Sequence, residues 1–454
     1  MSAGAGNSPR EQGAVHAEAS DLGTLVRETA DGRPGEPVPG DLRMARALWP
    51  VLLASAVGLL PFTVFSTYLV PIADDAGSSV AAMGGLRGLG GLAALLVGTA
   101  LAPFIDRVRK EWAAAGGLAA LGVSAALGAS GDFVLLAVFC LLVGASTSVL
   151  NPALTAAAAD RYGRGKAAGR AATLVTATQS MTAMLAAPIV ALPALLWGWE
   201  GDLVAVTVAS LLLAAVFLAR GRRTRAAGTG REQRLGYVAS FKALAAVRGA
   251  VPLLLVSLLR TAVFMGYLAY LAAYYDDRFQ LDPGLFAFVW TLSGASYFVS
   301  NLLTGRATNA VEPRISTERL LVAGLVVTLA SVVGFYSTDW LPLALTLTSL
   351  HAAAHAAVAA CAVSLLVRRC GPLRGSALGV NAAGQSLGVF VGAALGAAGL
   401  GLAGYPGIAA VFGALVLMAL GAAFLVPRQG EGERGREANG AEQPTGERAV
   451  PPPP

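Results

Sequence analysis

Apolar stretches of about 18 to 27 residues recur along most of the chain, and short polar segments separate them. Each stretch is long enough to cross a ~30 Å hydrocarbon core, because an α-helix rises ~1.5 Å per residue. Runs of this length predict transmembrane α-helices. We predict twelve of them, at residues 47–72, 79–105, 112–130, 133–157, 171–196, 202–219, 250–275, 284–304, 318–337, 341–367, 375–399 and 404–426.

The composition supports an all-α membrane protein. Of the 454 residues, 55% are hydrophobic and 13% are charged, whereas a soluble domain is roughly a quarter charged. The cysteines Cys140, Cys361 and Cys370 lack the spacing of metal ligands or of a disulfide framework. We therefore expect no cofactor and no bound metal.

The charges alternate between successive loops. If the N-terminus is cytoplasmic, the inner loops carry nearly all the basic residues, and the outer loops carry Arg278 alone beside several acidic residues. This positive-inside contrast predicts a multi-pass protein of the cell membrane with both termini in the cytoplasm. The net charge of +6 does not require nucleic acid as a partner, because basic loops next to an anionic leaflet account for it.

A long polar segment divides the twelve predicted spans into two sets of six. We predict five regions: a disordered N-terminal tail at 1–43, an N-terminal half at 44–220, a basic cytoplasmic linker at 221–249, a C-terminal half at 250–427 and a disordered C-terminal tail at 428–454. Two six-helix halves joined in this way are typical of parallel-repeat transporters.

This layout and several motifs resemble the major facilitator superfamily. The sequence "APFIDRVRKEW" falls between spans two and three, where that family has a G-x-x-x-D-R-x-G-R-[RK] loop, and Asp106 and Arg107 match it. "GRATNAVEPR", from Gly305, is a weaker match to the same motif in the equivalent loop of the second half. The resemblance implies two pseudo-symmetric six-helix halves, a binding site between them at mid-membrane, and a conformational latch formed by Asp106 and Arg107.

The fourth span and the loop after it look like the drug and sugar efflux branch, the arabinose efflux permease-like group. The residues are "LLVGASTSVLNPALTAAAADRYGRGKAAGRAATLV", followed later by "LLWGWEGD". The chain departs from the antiporter pattern at Cys140, where the family has Arg, and at Ala187-Pro188, where it has Gly-Pro. The resemblance implies export of a solute in exchange for protons.

Arg260 is the first candidate for binding, because an ionisable side chain at membrane depth is costly. It shares one face of span seven with aromatic residues, among them Phe264 and Tyr267. Such a guanidinium can bind a carboxylate or phosphate through two parallel hydrogen bonds. Alternatively, Arg260 fixes helix packing. Arg87, nearer the outer surface, can snorkel to water.

His351 and His355 lie four residues apart, on one face of span ten. "HAAAH" lacks the Glu of H-E-x-x-H and a third ligand, so it does not indicate a zinc site. Imidazole can donate, accept and bind a proton near neutral pH. We interpret the pair as substrate-binding residues that also carry protons, or else as neutral rings bonded across a helix interface.

Four further side chains complete the predicted substrate site. They are the aromatic residues Trp290 and Tyr297 of span eight and the amides Asn381 and Gln385 of span eleven. The alternative for each is a hydrogen bond between membrane helices without contact to substrate.

The sequence predicts a non-enzymatic, monomeric secondary transporter that moves a small organic solute by alternating access, as an exporter coupled to protons. One alternative is a facilitative uniporter, or an importer of an anionic or zwitterionic metabolite. Another is a membrane sensor or scaffold that transports nothing. No Ser-His, Asp-Asp or metal constellation at membrane depth suggests an enzyme.

Overall fold

The computed structural model describes residues 41–105, 108–162, 166–223, 237–308 and 315–427. Within these ranges the secondary structure is helical. The helices are α1 Asp41–Val57, α2 Leu60–Thr67, α3 Leu69–Asp75, α4 Val80–Ile105, α5 Lys110–Gly128, α6 Phe133–Asp160, α7 Lys166–Arg223, α8 Tyr237–Ala245, α9 Ala250–Phe279, α10 Pro283–Thr308, α11 Thr317–Phe335, α12 Leu341–Cys370 and α13 Arg374–Phe424, with a 3₁₀ turn at Gly371–Leu373.

These helices form the twelve predicted spans. Nine helical segments of the described chain are long and apolar enough to cross a membrane. One of them, α13, contributes two spans because it bends at Gly404. The two remaining spans are α5, which is rich in Ala and Gly rather than in large apolar residues, and the part of α7 before Gly198. The predicted fold class is confirmed.

Glycine makes the two sharp reversals inside α7 and α13 possible. Gly198 has φ 68° and ψ −176°, and Gly404 has φ 63° and ψ −152°. Residues with a Cβ rarely adopt these angles, whereas glycine does so without steric cost. Each reversal turns the chain back into the bundle and needs almost no intervening loop.

Each half has its own hydrophobic core. One core is built from α1–α7 and includes the fully buried Phe65 and Phe139. The other is built from α8–α13 and is more aromatic, because Tyr267, Tyr270 and Tyr336 are buried in it. Most apolar burial therefore occurs within a half, which allows the halves to move as separate units.

Two of the predicted boundaries fall inside helices. The boundary at 43/44 falls inside α1, which begins at Asp41, and the boundary at 220/221 falls inside α7, which ends at Arg223, while α8 lies within the predicted linker. The termini and the middle of the linker lie outside the described residues, and so do the predicted latch residues Asp106 and Arg107.

The two halves touch along α4 and α13, near the end of the bundle that the charge pattern predicts to be external. A Cβ on Gly88 of α4 would lie 3.0 Å from the Ala393 Cβ of α13, and a Cβ on Gly91, near mid-span, would lie 2.6 Å from the Ser386 carbonyl oxygen. Gly379 lies two turns before Ser386 on α13, and no atom of the described residues lies within 4 Å of the place that a Cβ on Gly379 would occupy. The helices are thus in backbone contact near the predicted external end and separate toward the other.

Helices α7 and α10 form the second contact between the halves. A Cβ on Gly294 of α10 would lie 2.5 Å from the Cα of Met184 on α7. Small residues at such crossings let membrane helices approach closely. The contact lies near the middle of both spans and leaves the predicted cytoplasmic portions of the two halves free to diverge.

Candidate functional site

Arg260 is buried on α9, with 6% of its surface exposed. Its Nη1 donates a hydrogen bond to Nε2 of His355 on α12, at 3.0 Å. Because a guanidinium can only donate, Nε2 must accept, and His355 is neutral with its proton on Nδ1. The ion pairs of the described residues join Arg278 to Asp339 and Arg369 to Glu318, so in this part of the chain no carboxylate neutralises Arg260.

The guanidinium of Arg260 retains free donors. Its Nε is buried and has no hydrogen-bond partner among the described residues. Nε and Nη2 together form the edge of an arginine that can hold a carboxylate through two parallel hydrogen bonds. His355 engages Nη1, which lies outside that edge, and Nε on that edge is left unpaired among the described residues.

Aromatic rings surround this pair. Phe264, one turn after Arg260, stacks on His355 with ring centroids 3.8 Å apart and planes 9° apart. Tyr297 of α10 lies 6.1 Å from the His355 ring and 6.3 Å from Phe264. Three helices therefore bring together four of the predicted residues. We call Arg260, Phe264, Tyr297 and His355 the Arg260 cluster.

His351 faces a different neighbour. It is fully buried, and its Nδ1 lies 3.2 Å from the hydroxyl of Ser331 on α11. That hydroxyl donates to the Thr328 carbonyl at 3.1 Å, so it accepts from Nδ1, and His351 Nε2 has no partner among the described residues. The two histidines do not converge, and no group of three potential metal ligands occurs in the residues that the structure covers.

Tyr267 lies behind the cluster, in the interior of the C-terminal half. Its ring contacts His351 with centroids 4.5 Å apart. Its hydroxyl lies 2.8 Å from Oγ1 of Thr348, and the hydroxyl of Tyr275 lies 2.9 Å from the same atom. One threonine on α12 therefore satisfies two buried tyrosines of α9.

We predict that Thr348→Val destabilises the protein by about 1–3 kcal/mol, because both phenol hydroxyls lose their partner while the side-chain shape is kept. Thermal unfolding of the purified protein measures this loss. Thr346→Val is the matched control, since Thr346 is exposed and bonds only to the Pro342 carbonyl of its own helix. Equal midpoints for the two variants would contradict the prediction.

The remaining predicted residues lie around the cluster. Gln385 on α13 donates from Nε2 to the hydroxyl of Ser257, at 3.4 Å, about one turn from Arg260 along α9. Asn381 is buried one turn from Gln385. Trp290 packs edge-on against Phe286, two turns from Tyr297, and its Nε1 has no partner among the described atoms.

Two polar contacts were not predicted from the sequence. Gln179 of α7 donates to the side-chain oxygen of Asn151 on α6, at 3.3 Å. Ser331 orients His351. An amide within the apolar fifth span could have indicated Gln179, whereas nothing near Ser331 in the sequence distinguishes it from other membrane serines.

Arg87 links the two halves. Its Nη1 donates to the Met265 carbonyl of α9 at 3.4 Å, and its Cζ lies 5.8 Å from the centre of the Phe62 ring. The side chain is 8% exposed. Instead of snorkelling to water, the guanidinium lies inside the bundle.

Comparison with known proteins tests the fold directly. The family model described as the Major Facilitator Superfamily matches residues 51–315 and again 253–452. The chain belongs to this superfamily. It is therefore a multi-pass membrane protein of a transporter family. No curated protein matches the sequence.

Several solved structures of superfamily transporters resemble this one. A bacterial homolog of the human lysosomal transporter Spinster, inward-facing and occupied, has a TM-score of 0.66 and 15% identity, over 86% of this chain and 97% of that one. The human organic anion transporter MFSD10 (TETRAN) has a TM-score of 0.55 and 19% sequence identity, over 84% of this chain and 99% of that one. The nucleoside transporter NupG (D323A mutant) has a TM-score of 0.65 and 12% sequence identity, over 84% of this chain and 100% of that one. At these identities the likeness shows the fold.

Cys140 stands on the fourth span at the place where the efflux branch that the sequence resembles has Arg. Arg87 is on the helix that packs here, since a Cβ on Gly90, one turn after Arg87, would lie 2.9 Å from the Cys140 carbonyl oxygen. A cation is thus present at this level of the N-terminal half although the fourth span lacks one. The efflux branch itself stays a prediction.

Proposed function

We propose that this superfamily member is a secondary transporter of a small organic anion or zwitterion, and that the Arg260 cluster binds the acidic group of its solute. One observation carries the proposal: among the described residues, the only side-chain partner of the buried guanidinium is a neutral histidine, and its Nε is unpaired.

Electrostatics favours an anionic occupant. An arginine at the centre of a membrane helix costs about 2.5–3.5 kcal/mol on insertion scales, and the hydrogen bond to neutral His355 does not cancel the charge. A carboxylate would cancel it and would also satisfy Nε. Phe264 and Tyr297 would contact the apolar part of the solute, Trp290, Asn381 and Gln385 would line the approach, and Tyr267 and His351 would form the wall behind.

The packing of the halves supports alternating access. Contact near the predicted external end, with separation at the other, corresponds to a state open toward the predicted cytoplasmic side. In this proposal the halves rock about the Arg260 cluster, and Asp106 and Arg107 latch the cytoplasmic side when it closes. The cell-membrane location, the cytoplasmic termini and the monomeric state are part of the same proposal.

Two finer points remain predictions. Export follows from the resemblance to the efflux branch, and proton coupling follows from the presence of His351 and His355. A uniporter or importer would share the Arg260 cluster and the fold. Transport in both orientations, with and without a pH gradient, separates these possibilities.

Thermal unfolding with a solute panel tests the proposed substrate class. A ligand that binds only the folded state stabilises it by about 2.7 kcal/mol at a hundred times its dissociation constant. We expect benzoate, phenylacetate and phenylalanine to raise the midpoint, and benzamide and benzylamine to leave it unchanged. Stabilisation by benzylamine alone would instead indicate an exporter of lipophilic cations.

Counterflow in proteoliposomes then tests transport itself. Vesicles loaded with an unlabelled carboxylate that stabilises the protein should accumulate the labelled form transiently, and protein-free vesicles should not. Binding without counterflow would favour a sensor or scaffold.

A further inference from the structure

We propose that His355 is a proton-binding site linked to the anion site on Arg260, so that the solute anion and one proton bind together and cross the membrane together. This inference rests on the proposed function and adds that the proton and the anion move in the same direction. It assigns the proton to one of the two histidines.

The hydrogen bond between Arg260 and His355 requires a neutral imidazole. Nε2 of His355 accepts the Nη1–H of Arg260 at 3.0 Å. A proton on Nε2 would remove this acceptor and would place a second positive charge next to an unneutralised guanidinium. The empty site therefore disfavours the protonated form of His355.

An anion reverses this preference. A carboxylate on the Nε–Nη2 edge of Arg260 cancels the charge that opposes protonation, and it does not compete with His355 for Nη1. Protonated His355 in turn adds a positive charge beside the anion site. Each ligand therefore strengthens the binding of the other, and linkage requires the two effects to be equal.

The other groups that face His355 do not supply the missing negative charge. Phe264 and Arg260 come from α9, Tyr297 from α10 and His351 from α12 itself. Helix α11 packs against α12 beside His355 through Gly324, which faces Ala354 and Val358, and through Ser331, which contacts His351, and α13 contributes the neutral Asn381 and Gln385. Since the described residues offer no counter-charge at this place, we assign it to the solute.

The carboxylates of these helices lie away from the cluster. Asp276 and Asp277 are in the last turn of α9. Glu318 is in the first turn of α11, where it pairs with Arg369. None of them is placed to hold a proton or an anion beside His355.

His351 does not provide the same link. Its Nδ1 is bonded to Ser331, and its ring is fully buried between Tyr267 and Phe264. It has no hydrogen bond to Arg260. His351 is therefore the matched control for His355, since it has the same chemistry on the same helix.

The proposed cycle conserves the proton. Nε2 of His355 takes it from water on the side where the site is open, as the hydrogen bond from Nη1 of Arg260 breaks, and releases it to water on the other side as the anion leaves Arg260 and that hydrogen bond re-forms. Because both ligands move in the same direction, an inward proton gradient would drive uptake. This sign favours the importer of an anionic metabolite over the exporter predicted by resemblance.

Calorimetric titration of the full-length protein with benzoate tests the linkage. Run in two buffers of different ionisation enthalpy, it reports the protons taken up with each benzoate. We expect net uptake, and affinity that rises by up to about tenfold per pH unit on acidification, the limit for one linked proton. In His355→Gln the amide oxygen still accepts from Arg260 but cannot titrate, so benzoate should bind without proton uptake. His351→Gln alters the wall of the site, so its affinity is not the readout, but each benzoate that it binds should still be accompanied by proton uptake.

The outcomes separate the inference from the function on which it rests. Uptake that persists in His355→Gln, or affinity independent of pH, overturns the proton site and leaves the anion site standing. If benzoate and phenylacetate do not bind the wild-type protein at any pH, the anion site itself is wrong.

Discussion

Replacing Arg260 with glutamine is expected to reduce carboxylate binding and transport by about 100-fold or more. Each hydrogen bond between charged groups contributes about 1.5–3 kcal/mol, and two such bonds would be lost together. Arg260→Lys keeps the positive charge but loses the planar guanidinium, so its carboxylate affinity should lie between those of the wild type and Arg260→Gln. Carboxylate-induced stabilisation and counterflow measure both variants.

The stability of the Arg260→Gln variant distinguishes binding from packing. If the guanidinium serves the solute, its removal relieves a buried charge, and the ligand-free protein should be as stable as the wild type or more so. If the guanidinium fixes packing, the variant should unfold at a lower temperature. Arg278→Gln is the control, because Arg278 is partly exposed and pairs with Asp339 at the predicted external end. It should change neither property.

The second large effect is expected from a single methyl group between the halves. A Cβ on Gly84 would lie 2.2 Å from Cε1 of Tyr270. The tyrosine cannot retreat, because its hydroxyl bonds to the Ala393 carbonyl and its other edge faces Gly396. Gly84→Ala should therefore oppose closure of the predicted external end, at a cost of about 1–3 kcal/mol.

A penalty of that size shifts a two-state equilibrium by about 5- to 150-fold toward the state in which the external ends are apart. Spin labels at Ser79 and Gln280, on opposite halves, should report a longer distance, and turnover should fall. Gly85→Ala is the adjacent control, since its Cβ would meet only the Ala397 methyl at 3.4 Å. The same distance distribution in both variants would contradict the expected steric effect of a methyl group at Gly84.

The architecture could be predicted from the sequence because lipid imposes it. A span must be a helix of a certain length, and the loop charges fix the alternation, so even the Ala- and Gly-rich α5 could be placed. The bends within α7 and α13 were less accessible. Their glycines are two among 55 in the chain, and only the backbone angles distinguish them.

The site could be predicted only in part. Helical spacing places Arg260 and Phe264 on one face, and cost at membrane depth singles out the arginine. Its partner could not be inferred, because His355 is 95 residues away in sequence and the register between α9 and α12 depends on packing. For the same reason the sequence could not show that His351, on the same face as His355, bonds to α11.

The closed end has a consequence for the energy of the transport cycle. In the described part of the chain, the contact of α4 with α9 and α13 consists of glycine and alanine faces, an aromatic ring and the hydrogen bond from Arg87 to Met265. Such a surface is joined mainly by dispersion forces, which fade within about an ångström of separation. Opening it breaks no ion pair that water must then solvate. The barrier should therefore depend little on ionic strength and strongly on the lipid that fills the gap.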